Sequence, residues 1–221
     1  MNAKISGKVP KDGLDVKMNK HQQRTEETRA LLLKAAEEMF VRDGYEGAQL
    51  NEISALAGRT KGAVYAHFKN KEDLFLGLFE LRTHEYLERL MCTLNSCTTV
   101  EAKRAQLRKF FVDLAGDRSW PILNLEFKLY ALRHPQSKER LRKAYEQTRL
   151  KNLDKLTEEI FGLLDEGARH RQDVSAAAVG PIVQGLILES HFEPDLLSEP
   201  EIRALLDRIY DMLFGEEHIK A

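Results

Sequence analysis

One stretch of this 221-residue chain constrains its fold more than any other: Gln49 to Leu74, QLNEISALAGRTKGAVYAHFKNKEDL. It reads as two short helices meeting at a glycine. Leu50, Ile53, Leu56 and Ala57 recur at helical spacing and are expected to face inward from the first helix. Gly58 ends that helix, since glycine tolerates the left-handed backbone of a tight C-cap. Thr60 is set to cap the second helix by accepting from free N–H groups of its first turn. Val64 and Phe68, one turn apart, form its buried pair, which leaves Lys61, Gly62, Ala63, Tyr65 and His67 facing outward. This is the pattern of a helix-turn-helix. The same turn and spacing also fit an αα-hairpin inside a helical bundle. The outer face argues for the former. Gly62 in a first turn costs about 1 kcal/mol relative to alanine, which a bundle does not reward and a surface lying close to a phosphate or groove wall does. Lys61, Tyr65 and His67 supply donors for phosphates and bases, and Ala63 suits a thymine methyl.

The flanking pattern is helical throughout, giving an all-α chain of about nine helices. A first helix is expected from Thr25 to Asp43-Gly44, with Glu26 and Glu27 in its first turn and a stripe of Leu32, Ala36 and Phe40. Tyr45 then plugs the small core. Asn70 caps a long fourth helix carrying Leu74, Leu78, Leu81 and Leu90 to about Asn95. Lys71 at its tip is placed to grip phosphate. A fifth helix follows over about Glu101–Ala115. A sixth starts at Trp120-Pro121 and ends near His134-Pro135, and a seventh runs from Ser137 to about Gly167. An eighth starts after Asp173 and ends at Glu189. Ser198-Glu199-Pro200-Glu201 reads as a capping box opening a ninth that ends at Gly215.

Several of these residues carry a family pattern. Ala35-Ala36, Phe40, Gly44-Tyr45, Ile53, Ala57-Gly58, Lys61-Gly62, Tyr65, His67-Phe68, Lys71 and Leu74 stand at fixed spacing over about residues 26–86. In them the chain resembles the DNA-binding domain of the TetR family of bacterial transcriptional regulators (TetR/AcrR-type). It departs from that pattern at Ala48-Gln49, where the family usually has a serine or threonine, and at Arg59, where it usually has a hydrophobic residue. The stretch LEFKLYALRHPQSKERLRKAY from Leu125 is also similar to the body of many such regulators. The resemblance implies a helix-turn-helix domain over 25–70 (the helix-turn-helix itself about 49–68); the polar, lysine-dotted segment before it, at 1–24, shows no helical stripe and is expected to be a flexible basic tail. The resemblance also implies a ligand-binding and dimerisation domain over 71–221. By the same resemblance the chain would be a sequence-specific regulator, most often a repressor that binds a palindromic operator as a homodimer and is released by a small-molecule effector. The DNA contacts would come from Arg59, Thr60, Lys61, Gly62, Ala63, Tyr65, His67 and Lys71. Control by a protein partner, with no small-molecule effector, is the alternative on the same fold.

Charge distribution agrees with a head that meets nucleic acid. Through Lys71 there are nine Lys and four Arg against three Asp and six Glu, although the whole chain nets −1. The lysines at 4, 8, 11, 17 and 20 belong either to a solvated tail or to an arm on DNA, as does Arg24. Met18 offers an internal start. Cys92 and Cys97 fit no zinc or redox spacing and suggest reduced thiols in a cytoplasmic protein. No signal peptide opens the chain, and the longest apolar run, Ala176 to Leu188, is too short to span a membrane. There is no phosphate-cradling glycine loop and no serine–histidine–acid arrangement, so no catalytic residue or cofactor is expected. His134, His170 and His191 show no metal-ligand spacing, so no metal is expected either. Trp120, Phe127 and Tyr130 cluster on the sixth helix, as ligand contacts or as core. Glu126 beside them is free either to meet a cationic ligand or to face solvent. The eighth helix is apolar almost all round, and the ninth carries Ile202, Leu205, Leu206, Ile209, Met212 and Leu213. They are either core helices of a monomer or half of a four-helix dimer interface, where Ala178, Gly180 and Gly185 permit close approach.

Overall fold

The computed structural model describes residues 19–149, 160 and 165–215, and among them it is all-α, with no strand. The helices are α1 (Lys20–Gly47), α2 (Leu50–Leu56), α3 (Lys61–His67), α4 (Lys71–Asn95) and α5 (Val100–Asp113). They continue as α6 (Trp120–Arg133), α7 (Pro135–Arg149), α8 (Glu166–Glu189) and α9 (Glu199–Phe214), with a 3-10 turn at Leu114–Gly116.

α1 begins at Lys20, ahead of the Thr25 expected from the acidic first turn. Asn19 and Gln22 form a reciprocal capping box: Asn19 Oδ1 accepts from Gln22 N at 2.8 Å, and Asn19 N donates to Gln22 Oε1 at 2.9 Å. The end of the expected tail is therefore helical from Lys20, while its first eighteen residues lie outside those described. Near its other end, α1 is broken at Gly44, where φ is 75° and ψ 168°. Only glycine takes that backbone without strain. The break turns Tyr45 into the core, where it is almost wholly buried.

α2 and α3 meet as expected. Gly58 has φ 62°, and Thr60 Oγ1 accepts from Ala63 N at 3.2 Å. Leu56, expected inward, is 46% exposed; Ser54 is buried in its place, with its hydroxyl donating to Asn51 O at 2.8 Å. Asn70 caps α4 by accepting from Asp73 N at 2.8 Å. The largest apolar core runs without interruption from α1–α3 through the first half of α4 into α6 and α7. A second joins α5, α8 and α9 around Phe111, Ile187 and Leu206, and a third joins Leu90, Leu94 and Ile160.

Later in the chain, one helix start and one cap differ from the sequence expectation. α8 starts at Glu166, because Asp165 accepts from Ala168 N at 2.8 Å and opens the helix well before Asp173. Residues 165–167 thus belong to α8 and not to the seventh helix, whose expected middle lies outside the described residues. Ser198 occupies the cap of α9, but its side chain makes no capping hydrogen bond. Pro200, in the first turn, lacks one of the N–H groups that such a cap would accept from. α9 also spends much of its apolar face inside the chain, since Ile202, Leu206 and Tyr210 are buried against α5 and α8.

Candidate nucleic-acid interface and body cavity

The outer face of α3 follows from its burial pattern. Val64 and Phe68 are buried, while Thr60, Lys61, Gly62 and Tyr65 are exposed and Ala63 and His67 half-exposed. Lys61 Nζ lies 6.0 Å from the centre of the Tyr65 ring. Gly62 has only Thr60 Oγ1 near where a Cβ would stand, at 3.7 Å, so its backbone is open to solvent. Arg59 leans back from the turn onto α1, with Nε 3.4 Å from Thr28 Oγ1 and one terminal nitrogen donating to Gly58 O at 3.1 Å. Lys71 turns toward the head instead of outward: Nζ donates to Glu46 O at 3.0 Å and sits 4.8 Å over the Tyr45 ring. The acids beside it, Glu72 and Asp73, are held by Arg140 from α7 at 2.6 and 2.9 Å. At the family departures, Ala48 is buried and Gln49 stands at the start of α2 without a side-chain cap.

A junction missed by sequence reasoning ties this head to α6. Glu126 is half-exposed, and its Oε1 accepts from Tyr45 N at 2.7 Å, across the break at Gly44. Around it, the Tyr45 ring lies 4.9 Å from Phe127, 4.5 Å from Tyr130 and 5.5 Å from Phe75. Burial pushes the Tyr45 phenol well above its usual range, so it stays neutral.

The opposite side of α6 borders a cavity of about 620 Å³ between α4, α6, α7 and α8. Of the three residues named as ligand candidates, Trp120 lines it; Phe127 and Tyr130 sit at the head junction instead. Its other walls include Phe79, Tyr86, Asn124, Lys128 and Tyr145. Asp117 braces one end, accepting from Arg82 at 2.6 Å, from Trp120 N at 3.0 Å and from the Tyr86 hydroxyl. No signal short of the three-dimensional packing marks Asn124 and Lys128, which share one side of α6.

Comparison with known proteins resolves the family. Residues 32–78 match the family model described as bacterial regulatory proteins, tetR family. Residues 100–215 match the one described as BetI-type transcriptional repressor, C-terminal. The chain belongs to the TetR family. Among relatives of this TetR-family chain, the fatty acid metabolism regulator protein of Bacillus subtilis is 33% identical over 93 residues, 42% of this chain and 48% of that protein. The HTH-type transcriptional regulator TtgR of Pseudomonas putida is 35% identical over 94 residues, 42% of this chain and 45% of that one. The chain thus spans about half the length of the relatives it matches. In solved structures, FadR from Bacillus halodurans superposes with a TM-score of 0.64 at 21% identity, over 86% of this chain and 95% of that one. FadR from Bacillus subtilis in complex with stearoyl-CoA gives 0.59 at 21%, over 84% and 98%. At that identity the likeness is one of fold. No helix among the described residues is long and apolar enough to cross a membrane.

Proposed function

We propose that this TetR-family chain is a dimeric repressor whose α3 helices enter successive major grooves of a palindromic operator. The observation that carries the reading is the exposed face of α3, held outward by buried Val64 and Phe68 after a left-handed glycine turn. Lys61 and Ala63 are the base readers. Thr60, Tyr65 and His67 contact phosphate, with Gly62 allowing close approach and Arg59 reaching the backbone from the turn. Lys71 joins them by releasing Glu46 O. The domain division is a reading head over 25–70 and a body over 71–221. Two heads must stand about 34 Å apart for adjacent half-sites. The exposed apolar residues Val174, Phe192, Leu196 and Met212 on and beside α8 and α9 support a dimer through these helices. Gly180 and Gly185, with open space where a Cβ would stand, support close packing there.

The body cavity is the effector site in this reading, and occupancy selects a head separation that no longer fits the operator. The stearoyl-CoA complex of a fold relative supports a ligand in such a body. The test is selection of bound DNA from a random pool by the full chain, followed by anisotropy titration. A palindrome with half-sites about one turn apart is expected, and Lys61→Ala should weaken its binding by about 1–3 kcal/mol. Selection of sites without dyad symmetry, or unchanged affinity in Lys61→Ala, would overturn the reading.

A further inference from the structure

The chemistry of the cavity walls names a class of ligand, and this step rests on the effector reading above. Most polar groups there are already satisfied. Asn124 Oδ1 accepts from the Tyr145 hydroxyl at 2.8 Å. Arg142 is held by Glu139 at 2.9 Å and by Glu146. Lys128 differs. It is half-buried, its Nζ donates to Gln184 Oε1 at 3.1 Å, and it lies 5.5 Å from the centre of the Tyr145 ring. An ammonium has three donors, and an amide oxygen and an aromatic face leave its charge uncompensated. Burial draws its pKa below the usual lysine range, with no acid opposing that effect. A desolvated cation without a counter-ion is costly, and the cost is recovered when an anion arrives. Phe79, Tyr86, Trp120 and Tyr145 around it offer apolar surface to the remainder of such a molecule.

We propose that the cavity takes a small monoanion with an apolar body, its acidic head paired to Lys128 and its body against the aromatic walls. One unpaired ammonium among the described lining residues matches one negative charge, not a polyanion.

Trp120 is the chain's single tryptophan and lines the cavity, so its emission reports occupancy directly. The full chain is titrated with decanoate, decanamide and decylamine, and with 2-naphthoate as an anion of different shape. Both anions should bind at least about 10-fold tighter than decanamide, the scale of one charge-assisted hydrogen bond. Decylamine should bind weakest. Lys128→Met should remove the preference for decanoate and leave decanamide unchanged, while Lys128→Arg should keep it; Lys128→Gln replaces the methionine variant if that one unfolds. Equal binding of all three decyl probes overturns the anion assignment, as does unchanged decanoate affinity in folded Lys128→Met. If those probes still lower operator affinity, the effector reading stands without it. If no probe alters Trp120 emission, the anion assignment falls, and operator affinity measured with the same probes decides the effector reading separately.

Discussion

Glu126 offers a sharp test of how head and body are joined. Its carboxylate accepts from Tyr45 N at 2.7 Å, and Tyr45 is almost wholly buried. A hydrogen bond to a charged group contributes about 1.5–3 kcal/mol, and an orphaned buried N–H costs about 1–3 kcal/mol. Glu126 is itself half-exposed, so water can partly replace it, and the lower half of that range applies. Glu126→Ala should lower unfolding stability by about 2 kcal/mol and Glu126→Gln, which keeps a neutral acceptor, by about 1 kcal/mol. Gly44 extends the test. A Cβ there would stand 2.6 Å from Glu126 Oε1, on a backbone of φ +75°. Gly44→Ala therefore suffers strain of about 1–3 kcal/mol from the backbone, plus the clash and the displaced hydrogen bond. In the Glu126→Ala background only the strain remains, so the double variant should be more stable than additivity predicts by about 1–2 kcal/mol. Urea unfolding at fixed protein concentration measures all four species, with equal m-values as the check on comparability. A Glu126→Ala midpoint within about 0.5 kcal/mol of wild type would show that Tyr45 N has another partner. Strict additivity in the cycle would refute the contact between Glu126 and Gly44.

Other expectations test separate parts of the molecule. Ile53 is wholly buried beneath the helix-turn-helix, so Ile53→Ala should cost about 2–5 kcal/mol in the same unfolding assay. Phe192 and Met212 are 73% and 72% exposed, so Phe192→Glu with Met212→Glu should leave the fold intact while sedimentation shows monomers; a persisting dimer would move the interface elsewhere. Decanoate binding should weaken as pH rises through the depressed pKa of Lys128, because only its protonated form carries charge. That loss begins below the usual lysine value of about 10.4. Decanamide affinity should stay flat over the same window, since burial pushes the neighbouring Tyr145 phenol up to about 12 and Arg142 stays charged against Glu139 and Glu146.

What could be read from the sequence was what neighbouring residues decide among themselves. The turn at Gly58, the caps at Thr60 and Asn70 and the buried pair Val64–Phe68 are all settled within one helical turn, and all stand as expected. Leu56 failed because a seven-residue helix has one buried side, and Ile53 with Ser54 already fills it. The start of α1 was missed because Glu26 and Glu27 gave a plausible first turn while the Asn19–Gln22 box lay further upstream. The partner of Glu126 was beyond reach, since Tyr45 stands 81 residues away. Apolar character marked Trp120, Phe127 and Tyr130 as buried or half-buried, but α6 is covered on two sides. Periodicity cannot say which side meets the cavity and which meets the head.

Under the proposed effector reading, that two-sidedness makes α6 a route by which the body acts on the head. Asn124 and Lys128 line the cavity, while Glu126, Phe127 and Tyr130 on the same helix engage Tyr45 at the end of α1. A helix moves as a unit, so displacement by a ligand beside Lys128 is felt at the Gly44 break within about one turn of the helix. A ligand shifts the head only by its differential affinity for the two arrangements, and couplings of this kind run to about 5–150-fold. The Glu126 hydrogen bond, at about 2 kcal/mol for a half-exposed acceptor, is of the same size in energy and so is able to carry much of it. Glu126→Gln should then reduce the decanoate-induced loss of operator affinity by at least about 3-fold, with decanoate binding to the DNA-free chain unchanged. Reciprocity requires the ratio of decanoate affinities with and without operator to fall by the same factor. If both ratios hold at wild-type values while Glu126→Ala still loses stability, the junction only fastens head to body. The packing of Phe127 and Tyr130 on Tyr45 and the continuous core along α4 are then the remaining connections between the two.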